Sequence, residues 1–343
     1  MAWTTEQLRE MADEKERQDG SNRRTAEVLS AKWGVPLSPS ALKCALARHE
    51  IEIEDLPPAD IPVEELVEHR IREYEQKRKH EEARQLIAVR VRSDLPIGIL
   101  HFGDPHLDDD GTDLAAIRAH ARLVAETDGM YAATVGDTTN NWVGRLARLY
   151  SQQGTRASDG WRLAEWFVGA VQRKWLYIVG GNHDLWSGAG DPLKWIAEQE
   201  DAIYRPSEAR IALRFQGGAE VRVNCRHDFE GHSQWNPAHG PMKALALGVR
   251  DHVAIAGHKH VSAYGVYKDP ESAITCHAIR VASYKRYDRY AIEKGMRDQN
   301  ISPCVVTVID PRLPAAHPGV VKVFWDAEEG TDFLSWARSR KAA

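Results

Sequence analysis

A chain of 343 residues is longer than one small domain and fits a catalytic core of about 250 residues plus a smaller part. Its formal net charge of −5 excludes a protein that is basic overall and binds nucleic acid by bulk charge, although a local basic patch stays compatible with it. Four scattered cysteines without a CxxC pair argue against a disulfide framework or a zinc–thiolate site and favour a reducing cytoplasm. The charged N-terminus lacks the apolar segment of a signal peptide, and no apolar run approaches the roughly 20 residues of a membrane span.

Residues 1–54 predict a small all-helical domain. Thr4 or Thr5 can cap a first helix, and Gly34 is placed to end a second one. The pair Ser38–Pro39 predicts the start of a third helix, because serine caps helices and proline is favoured at the first helical position.

The second and third of these helices weakly resemble a helix-turn-helix: AEVLSAKWG, a turn, and then SPSALKCALARHEI. The connecting VPLS is longer than the usual tight turn, and Ser30 stands where a small alanine is common. Two interpretations stay open, a DNA-binding unit and a small module that docks another protein.

Residues 55–94 connect this region to the rest of the chain. DLPPADIP, residues 55–62, is a proline-rich break that indicates a domain boundary. The stretch after it is long, charged and helix-prone, with opposite charges three or four residues apart that support a solvated helix. Its sparse apolar positions favour a connecting helix, with a dimerising coiled coil as the alternative. A protein partner or a second copy would therefore bind through residues 1–90.

Residues 95–343 alternate between short apolar runs and helical stretches, a pattern typical of an α/β domain. Several of the runs end in residue types that bind metals. In chain order these clusters are Gly103-Asp104-Pro105-His106, Gly136-Asp137 with Asn140 and Asn141, Gly181-Asn182-His183-Asp184, His227-Asp228, and Gly257-His258-Lys259-His260. Loops after the carboxyl ends of strands gather at one edge of an open α/β sheet, so the clusters are expected to converge.

The residue types in these clusters indicate divalent cations. Carboxylate, imidazole and amide oxygen suit manganese, iron, zinc or nickel. The glycines that precede the clusters are expected to let the backbone turn tightly at the strand ends. His258 and His260 are two residues apart and can face one centre. Each cluster alone also occurs in ordinary turns, and it is their order along the chain that indicates a function.

In this order the motifs resemble those of the calcineurin-like metallophosphoesterase superfamily, which holds phosphoprotein phosphatases, purple acid phosphatases, cyclic-nucleotide phosphodiesterases and SbcD-type nucleases. The resemblance covers roughly residues 95–285. It implies a sandwich of two β-sheets flanked by helices. With the helical region ahead of this core, the chain also loosely resembles phage- or prophage-encoded members.

The resemblance implies a centre of two divalent metal ions, manganese first, with iron, zinc or nickel as alternatives. Carried over by position, metal 1 would be held by Asp104, His106 and His260, metal 2 by Asn182, His227 and His258, and both by Asp137. The fourth motif is only a histidine after a strand. His227 is its best candidate, and His232 and His239 compete with it.

The expected chemistry is attack of a metal-bridging hydroxide on phosphorus, with His183 as general acid for the leaving oxygen. Asn182 and Asp184 complete the predicted catalytic set. Asp184 or Asp228 could orient a histidine by a hydrogen bond from outside the metal shell.

The core motifs define a reaction class but no substrate. Asn140 lies at the spacing of the family's phosphate contact, and Asn141 is its neighbour. Arg145 and Arg148, interleaved with aromatic residues, suit phosphate and base contact, although an amphipathic helix and a polar loop also explain them. The basic and aromatic segment 283–295 is ambiguous in the same way.

The favoured hypothesis is a cytoplasmic phosphodiesterase or nuclease that acts on nucleic acid. The alternative is a phosphomonoesterase acting on a phosphoprotein or a nucleotide. A hypothesis from another class is a DNA- or protein-binding module with the core as scaffold, and the complete ligand set argues against it. No membrane partner is expected.

Overall fold

A computed structural model describes residues 3–49, 60–185, 191–287, 295 and 298–340. The chain divides into two compact units, Met1–Lys77 and Arg78–Ala343. Most of the proline-rich stretch, and part of the basic and aromatic segment 283–295, lie outside the described residues. Within the described part of the chain, every helix is too short or too polar to cross a membrane.

The first unit begins with three helices, α1 (Thr5–Arg17), α2 (Asn22–Trp33) and α3 (Pro39–His49). They pack around a small core that includes Met11, Leu29 and Leu42, all 1% exposed or less. Thr4 caps α1 in a reciprocal arrangement with the side chain of Gln7, so Thr4 rather than Thr5 is the cap.

The side chain of Ser30, which stands where alanine is common in a helix-turn-helix, stabilises the turn between α2 and α3. The hydroxyl of Ser30 accepts a hydrogen bond from the Leu37 amide at 2.8 Å. Gly34 ends α2 in the left-handed conformation, and Ser38 accepts from the Ala41 amide at the start of α3. The predicted end of α2 at Gly34 and the predicted start of α3 at Ser38 are confirmed.

Helix α4 runs from Val63 to Arg84, and the boundary between the two units falls inside it. Its described side chains are exposed, including Leu66 and Ile71 at 46% each. Ion pairs three or four residues apart, such as Arg70 with Glu73, lie along its surface. The structure thus has a helix where the charge pattern predicts one, and its role as a connecting helix or a coiled coil stays a prediction.

The second unit contains two six-stranded sheets. The strands are β1 (Ile87–Val91), β2 (Ile97–Phe102), β3 (Met130–Thr134), β4 (Trp175–Val179), β5 (Ile203–Arg205), β6 (Glu208–Phe215), β7 (Glu220–Arg226), β8 (Val253–Ala256), β9 (Ala263–Lys268), β10 (Thr275–Arg280), β11 (Cys304–Ile309) and β12 (Val321–Phe324). The first sheet has the order β12-β11-β2-β3-β4-β5 and the second β1-β6-β7-β8-β10-β9.

Strands β2 to β5 are parallel, and β7 is parallel to β8. The helices of this unit are α5 (Leu114–Glu126), α6 (Ala157–Ala170), α7 (Asn182–Leu185), α8 (Pro192–Gln199), α9 (His239–Leu247) and α10 (Ala327–Ser339), with a 3-10 helix at Gly144–Gln152. The predicted α/β fold, with two sheets flanked by helices, is confirmed.

The two sheets pack face to face, and β2 shows why its sequence is apolar at nearly every position. Ile97 and Ile99 belong to the core that contains residues of both sheets. Leu100 and Phe102 belong to the core that the first sheet forms with α5, α6, α8 and α10. Since side chains alternate along a strand, a strand covered on both faces needs a continuous apolar run.

Candidate metal centre

The carboxyl ends of β2, β3 and β4 in the first sheet and of β7 and β8 in the second lead into the polar loops that the sequence singles out. The structure brings the seven predicted ligands of these loops together through the contacts given below. They fall into two groups that share one carboxylate, and each group takes side chains from both sheets.

The first group is Asp104, His106 and His260. The Nε2 atoms of His106 and His260 lie 3.2 Å apart. Nε2 of His260 lies 3.4 Å from Oδ2 of Asp104. Asp104 is fully buried, and its Oδ2 also accepts a hydrogen bond from the His258 amide at 2.6 Å, which ties the two sheets together at this point.

The second group is Asn182, His227 and His258. Nε2 of His227 lies 2.9 Å from the side-chain oxygen of Asn182 and 3.0 Å from Nδ1 of His258. Nδ1 of His227 donates to the Val135 carbonyl at 2.9 Å, which leaves Nε2 to face the group. The structure therefore places His227 in this group, whereas His232 lines a cavity beside it.

Asp137 lies between the two groups. Its Oδ2 is 3.2 Å from Nε2 of His227 and 3.8 Å from Nε2 of His106. Among the described histidines, cysteines and acidic residues, one set of three, Asp137, His227 and His258, has all its donor atoms within 4.8 Å of one another and could hold a metal ion.

Two atoms of the predicted ligand residues lack a hydrogen-bond partner in the described part of the chain, as expected for atoms that bind a cation. Among the described residues, Oδ1 of Asp104 and Nδ1 of His106 are buried without a hydrogen-bond partner. Buried polar atoms are normally paired, because an unpaired one costs about 1–3 kcal/mol. Bringing two carboxylates and several imidazoles together without water is favourable when a positive ion joins them.

The pKa values report the same crowding. Burial alone would raise the pKa of Asp137, but the hydrogen bond and charge of His227 outweigh it and bring that pKa below its ordinary value. Burial lowers the pKa of His227, yet the bond to Asp137 dominates and raises it to about 10. The Asp104 carboxyl has its pKa raised, chiefly by burial. Metal binding at these donors would compete with protonation of the histidines and the carboxylates.

Five of the predicted site residues have a left-handed backbone. The φ angles are 42° at His106, 50° at Asp137, 38° at Asn141, 67° at His258 and 51° at His260. Such a conformation costs a non-glycine residue roughly 1–3 kcal/mol, and residues held in it cluster at functional sites. The surrounding fold therefore imposes these conformations on the ligands.

The glycines before the ligand clusters are predicted to allow tight backbone turns. Gly136 has a positive φ of 116°, which favours glycine, but close packing explains the glycines at two other positions. A Cβ on Gly181 would lie 2.1 Å from Oδ1 of Asp137, and one on Gly257 would lie 2.3 Å from Oδ1 of Asp104. The expectation of tight turns is thus corrected at these two positions. They are glycines because a carboxylate packs directly against the backbone.

His183 lies beside the shared carboxylate. Its Nε2 is 3.9 Å from Oδ2 of Asp137, and its Nδ1 lies 2.6 Å from the Asn140 carbonyl. The side-chain amide of Asn141 donates to the His183 carbonyl at 2.7 Å. The Trp142 ring packs edge-on against the imidazole, with centroids 5.1 Å apart. The backbone of Asn140 and the side chain of Asn141 therefore position His183, whereas the side-chain amide of Asn140 donates to Asp109 and Gln153.

Asp184 does not orient a histidine as expected. Its fully buried carboxylate accepts hydrogen bonds from the backbone amides of Thr138 and Gly181, at 2.9 to 3.2 Å, so it joins the loops after β3 and β4. Asp228 does not do so either, because its Oδ1 accepts from Arg280 at 2.8 Å. Ligand orientation comes from backbone groups instead, as at Val135.

Arg280 is a residue that the motif pattern missed. Its side chain is fully buried and donates to the carbonyls of Pro237 and Gly257 as well as to Asp228, at 2.6 to 2.8 Å. Asp228 directly follows the ligand position His227, and Gly257 directly precedes His258. Pro237 lies further along the segment that follows β7. No local signal identifies Arg280, which ends β10, a mostly buried strand with the sequence TCHAIR.

The basic residues proposed for substrate contact lie farther out. Arg145 and Arg148 are exposed on the 3-10 helix Gly144–Gln152. This helix begins directly after the Trp142 segment that packs on His183. The structure thus leaves both guanidinium groups on the surface, and their contact with a substrate stays a prediction.

No protein-family model matches the chain, and no curated protein matches it. A solved structure, that of Haemophilus influenzae NAD nucleotidase (NadN), is similar at 10% sequence identity with a TM-score of 0.34. The similarity covers 67% of this chain and 49% of that one, so the chain spans about half the length of NadN. A likeness this distant assigns no activity to the chain.

Proposed function

We propose that the chain is a metal-dependent phosphoric ester hydrolase of the metallophosphoesterase type, and that it cleaves phosphodiesters. The observation that carries the proposal is the pair of ligand groups sharing Asp137. Asp104, His106 and His260 would hold one divalent cation, and Asn182, His227 and His258 the other. Manganese suits these nitrogen and oxygen donors, and so do iron, zinc and nickel. Two bound cations would supply an activated water and neutralise the charge of the phosphate oxygens.

His183 is the proposed general acid. Its Nδ1 is oriented toward the Asn140 carbonyl, to which it can donate, so the proton to be transferred would sit on Nε2. That atom is on the side of the shared carboxylate, where a phosphate bound to the cations would lie. The indole of Trp142 packs edge-on against the imidazole, and the His183 side chain is 14% exposed. The leaving oxygen of the ester would receive the proton from Nε2.

Nucleic acid is the proposed phosphodiester, and phosphomonoesters of nucleotides or proteins are the alternative. The test is hydrolysis by the purified protein with manganese, measured side by side on single-stranded DNA, double-stranded DNA, RNA, bis-p-nitrophenyl phosphate and p-nitrophenyl phosphate. Faster cleavage of the diesters supports the proposal. Cleavage of p-nitrophenyl phosphate alone would replace it by the alternative, and absence of metal-dependent cleavage of every ester would refute both.

A further inference from the structure

A cavity of about 710 Å³ is lined by Lys259 and Val261, the two sequence neighbours of His260 in the candidate metal centre. Its walls come from residues 231–237, from Lys259, Val261 and Ser262, and from residues 298–301. Lys259, which lies between the two histidines of the loop after β8, is one of its lining residues. A molecule held at the metal centre could therefore extend into this cavity.

An exposed tryptophan stands in the wall of the cavity. Trp235 is 92% exposed, the highest value among the large apolar side chains of the described residues. Burying such a ring is among the largest hydrophobic gains available to a fold, which here leaves it in water. A single exposed apolar residue is ordinary on a protein surface, so the neighbours of Trp235 decide its meaning.

The turn that carries Trp235 is fixed. The hydroxyl of Ser233 accepts from the amides of Trp235 and Asn236 at 3.2 and 3.1 Å. The side-chain oxygen of Asn236 accepts from the Ala238 amide at 3.0 Å, and Ala238 precedes α9. The backbone of the turn is thus ordered while the indole face is accessible, which lowers the entropy cost of stacking a ligand on it.

The other lining residues suit the edge of a planar, polar ring. Gln234 and Gln299 are exposed there, and each primary amide has both donors and acceptors. Ile301, 66% exposed, adds an apolar surface. An aromatic face combined with amide groups is how proteins hold unpaired bases, by stacking and by hydrogen bonds to the base edges.

We propose that this cavity binds a nucleobase of the substrate, stacked on Trp235, while the phosphate of the same nucleotide lies at the metal centre. The inference rests on the proposed function and narrows it to esters that carry a base. Both a free nucleotide and a nucleotide within a single strand present this chemistry.

The first test is binding without catalysis. In manganese, isothermal titration calorimetry would compare adenosine 5′-monophosphate, a short phosphorothioate thymidine oligonucleotide, which resists hydrolysis, and ribose 5-phosphate, which lacks the base. Trp235→Ala is expected to weaken binding of the two base-carrying ligands roughly 5- to 150-fold, the range that base–aromatic stacking spans. Trp235→Phe should lose less, because a ring remains. Trp195→Ala, at an exposed tryptophan on α8, is the matched control and should bind as the wild type does.

The second test is selectivity with manganese present. Trp235→Ala should lower kcat/KM for thymidine 5′-p-nitrophenyl phosphate relative to bis-p-nitrophenyl phosphate by a factor in the same range. Nucleotide binding that is the same in wild type and Trp235→Ala, or an equal loss on both esters, would overturn the base site. Binding that depends on Trp235 without hydrolysis of any ester would instead refute the proposed function and leave the base site standing. Stronger effects on the mononucleotide or on the oligonucleotide would tell which of the two is the ligand.

Discussion

Arg280→Met tests whether one buried guanidinium sets the geometry of two ligand loops. Methionine replaces the aliphatic part of the arginine side chain. The substitution removes the guanidinium and its hydrogen bonds to Asp228, Pro237 and Gly257. Removing one partner of a buried ion pair costs about 3–5 kcal/mol. Because the Asp228 side chain is 30% exposed and can be hydrated, the loss of unfolding free energy should lie near the lower end, about 3 kcal/mol.

Metal affinity is the second readout for this variant. Mutation of a residue that positions metal ligands from outside the metal shell typically lowers metal affinity 10- to 100-fold. Urea unfolding in EDTA would measure stability, and calorimetric titration with manganese would measure affinity. Arg210→Met is the matched control, because Arg210 binds the fully buried Asp251 through two hydrogen bonds of 2.7 and 2.9 Å. If both variants lost stability and neither lost metal affinity, Arg280 would support the fold alone and the reasoning would be refuted.

Three further predictions concern the centre and the helical unit. Asp137→Asn should abolish hydrolysis of bis-p-nitrophenyl phosphate and keep the circular dichroism spectrum, with Asp310→Asn as a control; near wild-type turnover would remove the shared carboxylate from the mechanism. His183→Ala should slow cleavage by about 10²–10⁴-fold for alkoxide leaving groups and less for nitrophenolate, which needs no proton; an equal loss for both would contradict the acid role. Deleting residues 1–60 should leave cleavage of the small diester nearly intact, since every predicted ligand follows residue 100. If the deleted helices bind DNA, affinity for long duplexes and its salt dependence should also fall; loss of soluble protein would contradict the modular picture.

The sequence indicates the fold through signals that act locally. Caps at Thr4 and Ser38 predict helix ends because they depend on a few neighbouring backbone groups. Apolar runs that end in Asp104 or Asn182 predict the strands and the edge at which their loops gather. The convergence of the ligand residues could therefore be predicted without a structure.

The rest depends on contacts between segments far apart in the chain. Arg280 reaches loops that begin more than 20 residues earlier, and its own surroundings in sequence are those of any buried strand. The sequence predicts that Asp184 binds a histidine, whereas its carboxylate accepts from the amides of Thr138 and Gly181, and Thr138 is 46 residues away in the chain. The left-handed backbone of His258 follows from packing and has no signature in residue type.

Each ligand group draws on both sheets, so each cation would crosslink the two sheets at the edge where their ligand loops meet. Its binding energy would depend on how the two sheets lie against one another, and by thermodynamic reciprocity the ion would hold that alignment. A substitution in the shared apolar layer, for instance Val223→Ala, could then weaken metal binding without touching a ligand. Changes in the packing between the sheets would thus change metal affinity. Binding of the ion would in turn make the sheets more rigid at positions far from the catalytic edge.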